Sequence, residues 1–588
     1  MMTDRSLHRA ESSRALSRRT CALLAISVWL LLPACAQQDA DDARPGTGDS
    51  RPNVLLIIAD DLGYADVGAY GSEIETPNID GLAREGIQLT NFHVAGTCSP
   101  SRSMLLTGVD NQLNGLGNMG EFLTSEQQGQ PGYEGHLNDR VATVSELLRD
   151  AGYETFFSGK WHLGRESEQW PFARGFMRSY ALLGGSGDNF SDTGPAPILP
   201  RTTFVEDDRS VDRGNAFSST LYVDKLLEYI GKDRSGAPPF FGVLSFQAVH
   251  WPHHAPPDWI RRHDGIYEAG WDALRAARFA RQKELGLVPA DLPLPPRARD
   301  ILAWEDLSEE QRALEARRMA AYAGMTAHMD HEIGRVLERL RRLGVADDTL
   351  VLFVSDNGPD PSEPDRAPRA RSWYAQRYPV ESLEGIGGPG SFPSYGPQWA
   401  QLGAVPLREF KGSASEGGLR VPLIVRYPGR IAAGQRSSAF GFATDVVPTI
   451  LEAADVAHPG SHYRGRTIHP PTGRSLWPTL QDPAVSSHSP DEPVGYALMK
   501  NRALFRGDHK LVRNGPPSGD GRWELFDLRV DPSERHDRSS QQPALREEML
   551  GLFERYAEER GVIAMPDDYD VFKALTSERV SHAGSESQ

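Results

Sequence analysis

Val54-Leu55-Leu56-Ile57-Ile58-Ala59-Asp60-Asp61-Leu62-Gly63 is the stretch on which the reading of the fold turns. Its first five residues carry no charge and no polar alternation, as expected of a strand covered on both faces in a largely parallel sheet. The run then breaks into two acids and a glycine. Three later apolar runs have the same grammar. Glu154-Thr155-Phe156-Phe157 leads into Gly159-Lys160-Trp161-His162-Leu163-Gly164, and Phe240–Phe246 leads into His250-Trp251-Pro252. Leu350-Val351-Leu352-Phe353-Val354 leads into Ser355-Asp356-Asn357-Gly358. Singly, such endings are ordinary turn chemistry or helix caps. In open α/β sheets, however, ligands bind beyond the carboxyl ends of the strands, so four polar endings at one sheet edge point to a site.

Outward from these runs, apolar stretches alternate with helical ones at Val144–Ala151 and His328–Leu343, predicting an α/β fold. Arg420–Val425 is a further strand, with Pro422 arguing against a central place in the sheet. Residues 255–320 read as a charged helical insertion, and 359–405 as a long loop rich in Gly, Pro and Arg. After about residue 440 come a helix at Asp445–Ala454, short strands at Ala503–Arg506 and Lys510–Arg513, and a helix at Glu547–Glu559. These predict a smaller C-terminal α+β subdomain. The division is thus 51–440 for a catalytic domain, 441–565 for the C-terminal subdomain and 566–588 for a polar tail.

The 588 residues suffice for such an arrangement, and 39% hydrophobic with 24% charged residues is ordinary for a globular protein. A formal charge of −17 excludes a nucleic-acid partner, which would need a basic face. An anionic substrate would require local cations or a metal. The N-terminus reads as an export signal over 1–35: Arg5, Arg9, Arg14, Arg18 and Arg19 precede the apolar run Ala22–Leu32. Leu32-Pro33-Ala34-Cys35 resembles a lipoprotein box in which Cys35 carries lipid; the alternative is a signal cleaved near Ala34 or Ala36. Residues 36–50 read as a disordered tether. The chain is therefore expected in the periplasm or lipid-anchored to a bacterial membrane, with a lipid anchor as its only membrane contact.

Cys21 and Cys35 lie in the export segment, which leaves Cys98 without a disulfide partner. Cys98 opens Cys98-Ser99-Pro100-Ser101-Arg102 and precedes Met104-Leu105-Leu106, a place at a helix N-terminus where negative charge is favoured. Asp60, Asp61, Asp356 and Asn357 offer only hard oxygen ligands, which select calcium or magnesium over zinc. His253 and His254 fit no motif and read as surface residues.

Cys-x-Pro-x-Arg resembles the signature of the formylglycine-dependent (type I) sulfatases, closest to the bacterial arylsulfatases. Asp60–Gly63, Gly159–Gly164, His250, Asp356-Asn357-Gly358, Lys411 with Glu416–Pro422, and Trp523–Leu528 match that family in order. The resemblance implies an alkaline-phosphatase-like large mixed sheet flanked by helices. It also implies that a maturation enzyme converts Cys98 to an aldehyde whose hydrate is the nucleophile. By the same resemblance Asp60, Asp61, Asp356, Asn357 and the modified residue 98 hold Ca2+, with Mg2+ the lesser choice, and Asp356 doubles as base. Arg102 would hold the hydrate, Lys160 and Lys411 the sulfate oxygens. His250, with Lys411, would protonate the leaving group, and His162 would help release sulfate. The expected substrate is a small-molecule aryl or alkyl sulfate. The rivals are a phosphonate monoester or phosphodiester hydrolase of the same superfamily, and a lipoprotein that binds sulfated ligands without turnover.

Overall fold

In the computed structural model, Asn53–Ala59 is the strand around which the rest is arranged. Residues 51–569 are described, apart from Ile198, Arg299, Ala367, Arg369 and Glu381. The export segment, the tether and residues 570–588 of the tail lie outside them. Val54, Leu56 and Ile58 face one apolar core, Leu55, Ile57 and Ala59 another. An uncharged run is required here because both sides of the pleat are dry.

Asn53–Ala59 pairs in parallel with Thr349–Ser355 on one side and Phe240–Ser245 on the other. Phe240–Ser245 continues in parallel to Glu154–Lys160, and that strand to Arg178–Leu182. Outside these five the direction mixes. Arg420–Arg426 runs antiparallel to both Thr349–Ser355 and Ile87–His93, and the far edge carries the antiparallel Phe204–Glu206 and Arg209–Val211. Gln435–Ser437 and Gly441–Phe442 pair with Ile87–His93, completing an eleven-stranded mixed sheet.

Two expectations are corrected here. Arg420–Arg426 is interior to the sheet despite Pro422, because the register shifts between Val421 and Leu423 and the missing N–H falls where the ladder is already interrupted. The segment 359–405 is not one unbroken loop: it contains helices at Arg371–Arg377 and Gly396–Ala404. The second has Trp399, Ala400 and Leu402 in the core, an apolar set too short to announce a period.

Helices cover both faces. Cys98–Thr107, Val144–Asp150 and Val446–Ala453 contribute to one core, Ser218–Ile230 and Glu309–Arg342 to the other. The Glu309–Arg342 helix begins well before the His328 read from sequence, so it takes in the end of the supposed 255–320 insertion. Ser308 and Gln311 form a capping box at its start. Among the described residues, no helix is long and apolar enough to cross a membrane.

The C-terminal sheet runs Pro493–Leu498, Asn501–Arg506, His509–Arg513 and Trp523–Asp527, all antiparallel. Leu504, Leu511 and Leu525 pack on Met549 and Phe553 of the Pro543–Arg560 helix. Ala503, Phe505, Val512 and Phe526 face the core of the large sheet. Buried charges join the two sheets. Lys510 Nζ lies 2.8 Å from Glu416 Oε1 and 2.9 Å from Glu534 Oε1, and His93 Nε2 lies 3.0 Å from Glu416 Oε2. Burial raises the Glu416 carboxyl, but Lys510 and His93 more than reverse this and hold it well below its ordinary 4.5. The stability this carboxylate contributes is therefore complete above that ordinary value and is lost as pH falls beneath it. Urea unfolding should show the midpoint dropping between about pH 5 and 3 in the wild type and a flatter profile in Glu416→Gln. Lys510→Met, which leaves two buried carboxylates without their shared cation, should cost about 3–5 kcal/mol at neutral pH. A Lys510→Met variant as stable as the wild type would show that the two sheets do not depend on this cluster.

Candidate active site

The four polar endings meet. Register places Ile58 opposite both Val354 and Ser245, and Ser158 opposite Leu244, so these strands stop at nearly the same level. Asp60 and Asp61 leave the first strand, Lys160 and His162 the second, His250 the third, and Asp356 and Asn357 the fourth. Asp61 and His162 take left-handed backbone conformations, at φ 62° and 57°, which turn the chain sharply at the strand ends. The Asp60-Asp61 turn is fixed from below. Gly63 N donates to Asp66 Oδ2 at 3.0 Å, and Tyr322 OH donates to the same oxygen at 2.7 Å. Arg278 donates to Asp66 Oδ1 and to Glu73, so the insertion also clamps this turn.

Cys98 begins the Cys98–Thr107 helix, is buried and is a free thiol. Its Sγ lies 3.7 Å from Asp61 Oδ1. One ligand atom each from Asp60, Asp61, Cys98 and Asp356 lies within 4.8 Å of the others, and the same holds for Asp61, Cys98 and His250. Arg102, one helical turn on from Cys98, is 1% exposed. Its Nε donates to Asp356 Oδ2 at 2.7 Å, and Nη1 to Lys160 O at 2.9 Å and Ser245 Oγ at 2.5 Å. Lys160 Nζ donates to both Asp60 oxygens, at 2.8 and 2.7 Å. Lys411 Nζ donates to Asp61 Oδ2 at 2.8 Å, and Asn357 Nδ2 to Asp61 Oδ1 at 2.6 Å.

These groups do not titrate as in water. Burial raises the Asp60 carboxyl to about 6 against the pull of Lys160, and raises Asp61 to about 8 against that of Lys411. Burial works upward on Asp356 too, but Arg102 and Lys160 more than offset it and hold that carboxyl below its ordinary range. Burial pushes the Cys98 thiol well above its ordinary range, so the unmodified residue is not a thiolate. Burial opposes a charge on Lys411, yet Asp360 and Asp61 retain its proton well above the ordinary range.

The donor set fits a hard divalent cation. Three carboxylates crowd one point, all the oxygen donors are hard, and Asn357 Oδ1 is buried without a hydrogen-bond partner. An orphaned amide oxygen beside crowded carboxylates is what a coordination shell would use.

Across the cluster, His250 Nδ1 lies 2.7 Å from Trp251 O, which makes Nδ1 the protonated nitrogen and turns Nε2 toward Asp61 Oδ2 at 3.5 Å. Burial, with Lys411 and Lys160 beside it, holds this imidazole well below its ordinary range. His162 Nε2 lies 3.6 Å from Glu121 Oε1, while Nδ1 is buried without a partner. Burial lowers His162 to about 4 although Glu121 works to raise it.

Every site residue read from the sequence reaches this cluster except His162, which lies against Glu121 instead. Two residues were not foreseen. Asp360 holds Lys411 and follows Asp356-Asn357-Gly358-Pro359 directly, so a charged residue ending that run was the available signal. Glu121 carries no sequence signal. His253 and His254 are corrected: both are buried, His253 in ring contact with Tyr322 and Tyr395, His254 with Nε2 2.6 Å from Ser391 O. The loop packed over them covers what the sequence leaves open.

Comparison with known proteins agrees with this geometry. A family model described as Sulfatase matches residues 52–456, and one described as N-sulphoglucosamine sulphohydrolase, C-terminal, matches 411–557. An uncharacterized sulfatase of Schizosaccharomyces pombe is 40% identical over 532 residues, which span 88% of this chain and 96% of that protein. An arylsulfatase of Klebsiella aerogenes is 36% identical over 436 residues, 72% of this chain and 91% of its own. The crystal structure of Ps i-CgsB with a neocarrahexaose superimposes with a TM-score of 0.63 at 23% identity, covering 91% of this chain and 99% of that one, a likeness of fold. The mixed sheet with its C-terminal subdomain is thus the alkaline-phosphatase-like sulfatase fold, and the chain belongs to the sulfatase family, as a hydrolase of sulfuric esters.

Proposed function

We propose that this sulfatase hydrolyses small aryl or alkyl sulfates to the phenol or alcohol and inorganic sulfate, with residue 98 as formylglycine and calcium in the acidic cluster. The observation that carries this reading is the convergence on Cys98 of three carboxylates, three cations and the His250 imidazole, all on the same sheet edge. A formylglycine at residue 98, made by a maturation enzyme, would supply an oxygen nucleophile that a thiol does not. Calcium held by Asp60, Asp61, Asp356 and Asn357 would supply Lewis acidity and charge to an otherwise acidic pocket.

The chain's own groups do the rest. Lys160 and Lys411 are fixed cations that bind the sulfate oxygens and oppose the charge that grows on them. Arg102 ties Asp356 to the first turn of the nucleophile's helix and holds that carboxylate ionised, ready to take a proton at its oxygen. His250 presents Nε2, and Lys411 its ammonium, on one side of Asp61, where they can pass a proton to a departing oxygen. A bound anionic ester favours the protonated imidazole. His162, neutral above about pH 4, has Nδ1 free to accept a proton.

Room for an aryl group is supported by an aromatic row that begins beside His250. The Trp251 ring lies 5.8 Å from that of Phe392, which lies 4.4 Å from Tyr374 and 5.0 Å from Tyr378. The last three line a cavity of about 250 Å³ together with Arg318 and Arg371.

Protein coexpressed with a maturation enzyme should hydrolyse 4-nitrophenyl sulfate, and Cys98→Ala should lose at least about a thousandfold in kcat/KM. Tryptic mass spectrometry should find an aldehyde at residue 98. Equal turnover by the variant, or full activity with only the thiol present, would overturn the assignment; a preference for matched phosphate or phosphonate esters would move the reading to the phosphoryl-transfer relatives.

Chelation should abolish turnover and lower Tm, and calcium should restore both better than magnesium. At a hundredfold excess over Kd, bound metal contributes about 2.7 kcal/mol of stability. A rate and Tm indifferent to chelation would remove the metal from this site.

A further inference from the structure

Asp360 is 4% exposed and lies one layer behind the reacting groups. Its Oδ1 accepts from Ser362 N at 2.8 Å, which fixes the plane of the carboxylate. Its Oδ2 accepts two bonds, from Lys411 Nζ at 2.9 Å and from Trp251 Nε1 at 3.0 Å. Each leads to the leaving-group side of the site. Lys411 reaches onward to Asp61 Oδ2 at 2.8 Å. Trp251 presents the main-chain oxygen that takes the His250 Nδ1 proton at 2.7 Å, and its ring lies 4.5 Å from the imidazole. One buried carboxylate oxygen therefore holds Lys411, which reaches Asp61 directly, and Trp251, which orients the His250 that approaches Asp61 from another part of the chain.

From this geometry we infer that Asp360 is a positioning residue for leaving-group protonation: it sets Lys411 directly and His250 through the Trp251 indole. Asp360 makes no described hydrogen bond to Asp60, Cys98, Asp356 or Asn357; beyond the two groups it holds, its charge also favours the protonated forms of Asp61 and His250 through space. A long lysine side chain pays rotamer entropy to stay in one place, and a buried ammonium needs charge-matched partners on more than one side. Asp61 alone provides one. The two-bond oxygen also makes the lysine and indole positions mutually dependent, since moving either disturbs the other's acceptor.

The inference rests on sulfate-ester hydrolysis at this site. The test compares wild type, Asp360→Asn and Asp360→Glu on aryl sulfates graded by the acidity of the released phenol, all with matured residue 98 and calcium. Asp360→Asn should lose about 10–100-fold in kcat/KM on the poorest leaving groups and progressively less on 4-nitrophenyl sulfate, which departs with little proton assistance. Asp360→Glu, which keeps the charge on a longer arm, should recover part of the loss. In a Lys411→Ala background, Asp360→Asn should cost less than in the wild type, because one of the groups it holds is gone. A uniform loss across leaving groups, with a lowered Tm, would mean that Asp360 only supports the fold; full additivity with Lys411→Ala would mean that the two act separately. Either result overturns the inference.

A crystal structure of Asp360→Asn decides the positioning role whatever the ester. Lys411 Nζ should leave Asp61 and the Trp251 indole should turn away from residue 360. Both unmoved would overturn the inference even if every sulfate ester is a substrate. If the wild type turned over no sulfate ester, the functional reading would fail separately, and the displaced side chains would still report what Asp360 holds.

Discussion

Arg102 is the contact on which the active-site end of the sheet depends. Its guanidinium is almost wholly buried and reaches three strand ends at once: Asp356 after Thr349–Ser355, the Lys160 carbonyl at the end of Glu154–Lys160, and Ser245 at the end of Phe240–Ser245. A planar fork of five donors can do this where an ammonium could not. Because Arg102 sits one turn after Cys98, the same side chain that joins the strands also sets the Cys98–Thr107 helix against them. Removing it would leave Asp356 as an uncompensated buried charge beside two more carboxylates, a cost of several kcal/mol by the usual behaviour of broken buried pairs.

Charge balance extends outward in layers from that contact. Asp60 is answered by Lys160, Asp61 by Lys411, and Lys411 in turn by Asp360. With Asp360 included and every carboxylate ionised, as a bound cation would hold them, the carboxylates exceed the cations by one, so a divalent metal would reverse the sign of the cluster. Such a reversal would let a protein with a formal charge of −17 receive an anionic ester. Supporting groups have the same logic farther out. Asp66 and Arg278 brace the Asp60-Asp61 turn, and Lys510 neutralises Glu416 and Glu534 beneath the segment that delivers Lys411.

Much of this was legible in the chain. Strand ends announce themselves because an uncharged run must stop where polar side chains begin, and each run here stops at residues that meet in the candidate site. Pro422 misled because proline's missing donor is a local fact, whereas the bulge that accommodates it belongs to a pair of strands. Similarly, His253 and His254 look solvated in sequence, and only the 391–395 segment laid over them makes them interior. The long helix was seen from its amphipathic C-terminal half alone, since Met319–Ala327 ahead of it is buried on every side and shows no one-faced period, and its first turns are charged and held by a cap.

By itself, then, the sequence determined the α/β class, the order of the chemical groups and their identity as the cysteine at 98, hard carboxylate and amide oxygens, cations and imidazoles. These follow from side-chain chemistry and short-range periodicity, which the chain carries locally. The tertiary structure alone decided which group faces which: that Asn357 Oδ1 is left without a partner, that Glu121 sits by His162, and that Asp360 grips both Lys411 and Trp251. Those pairings join residues between 41 and 109 positions apart, and their energies come from burial and close contact, neither of which exists until the sheet has brought the strand ends together.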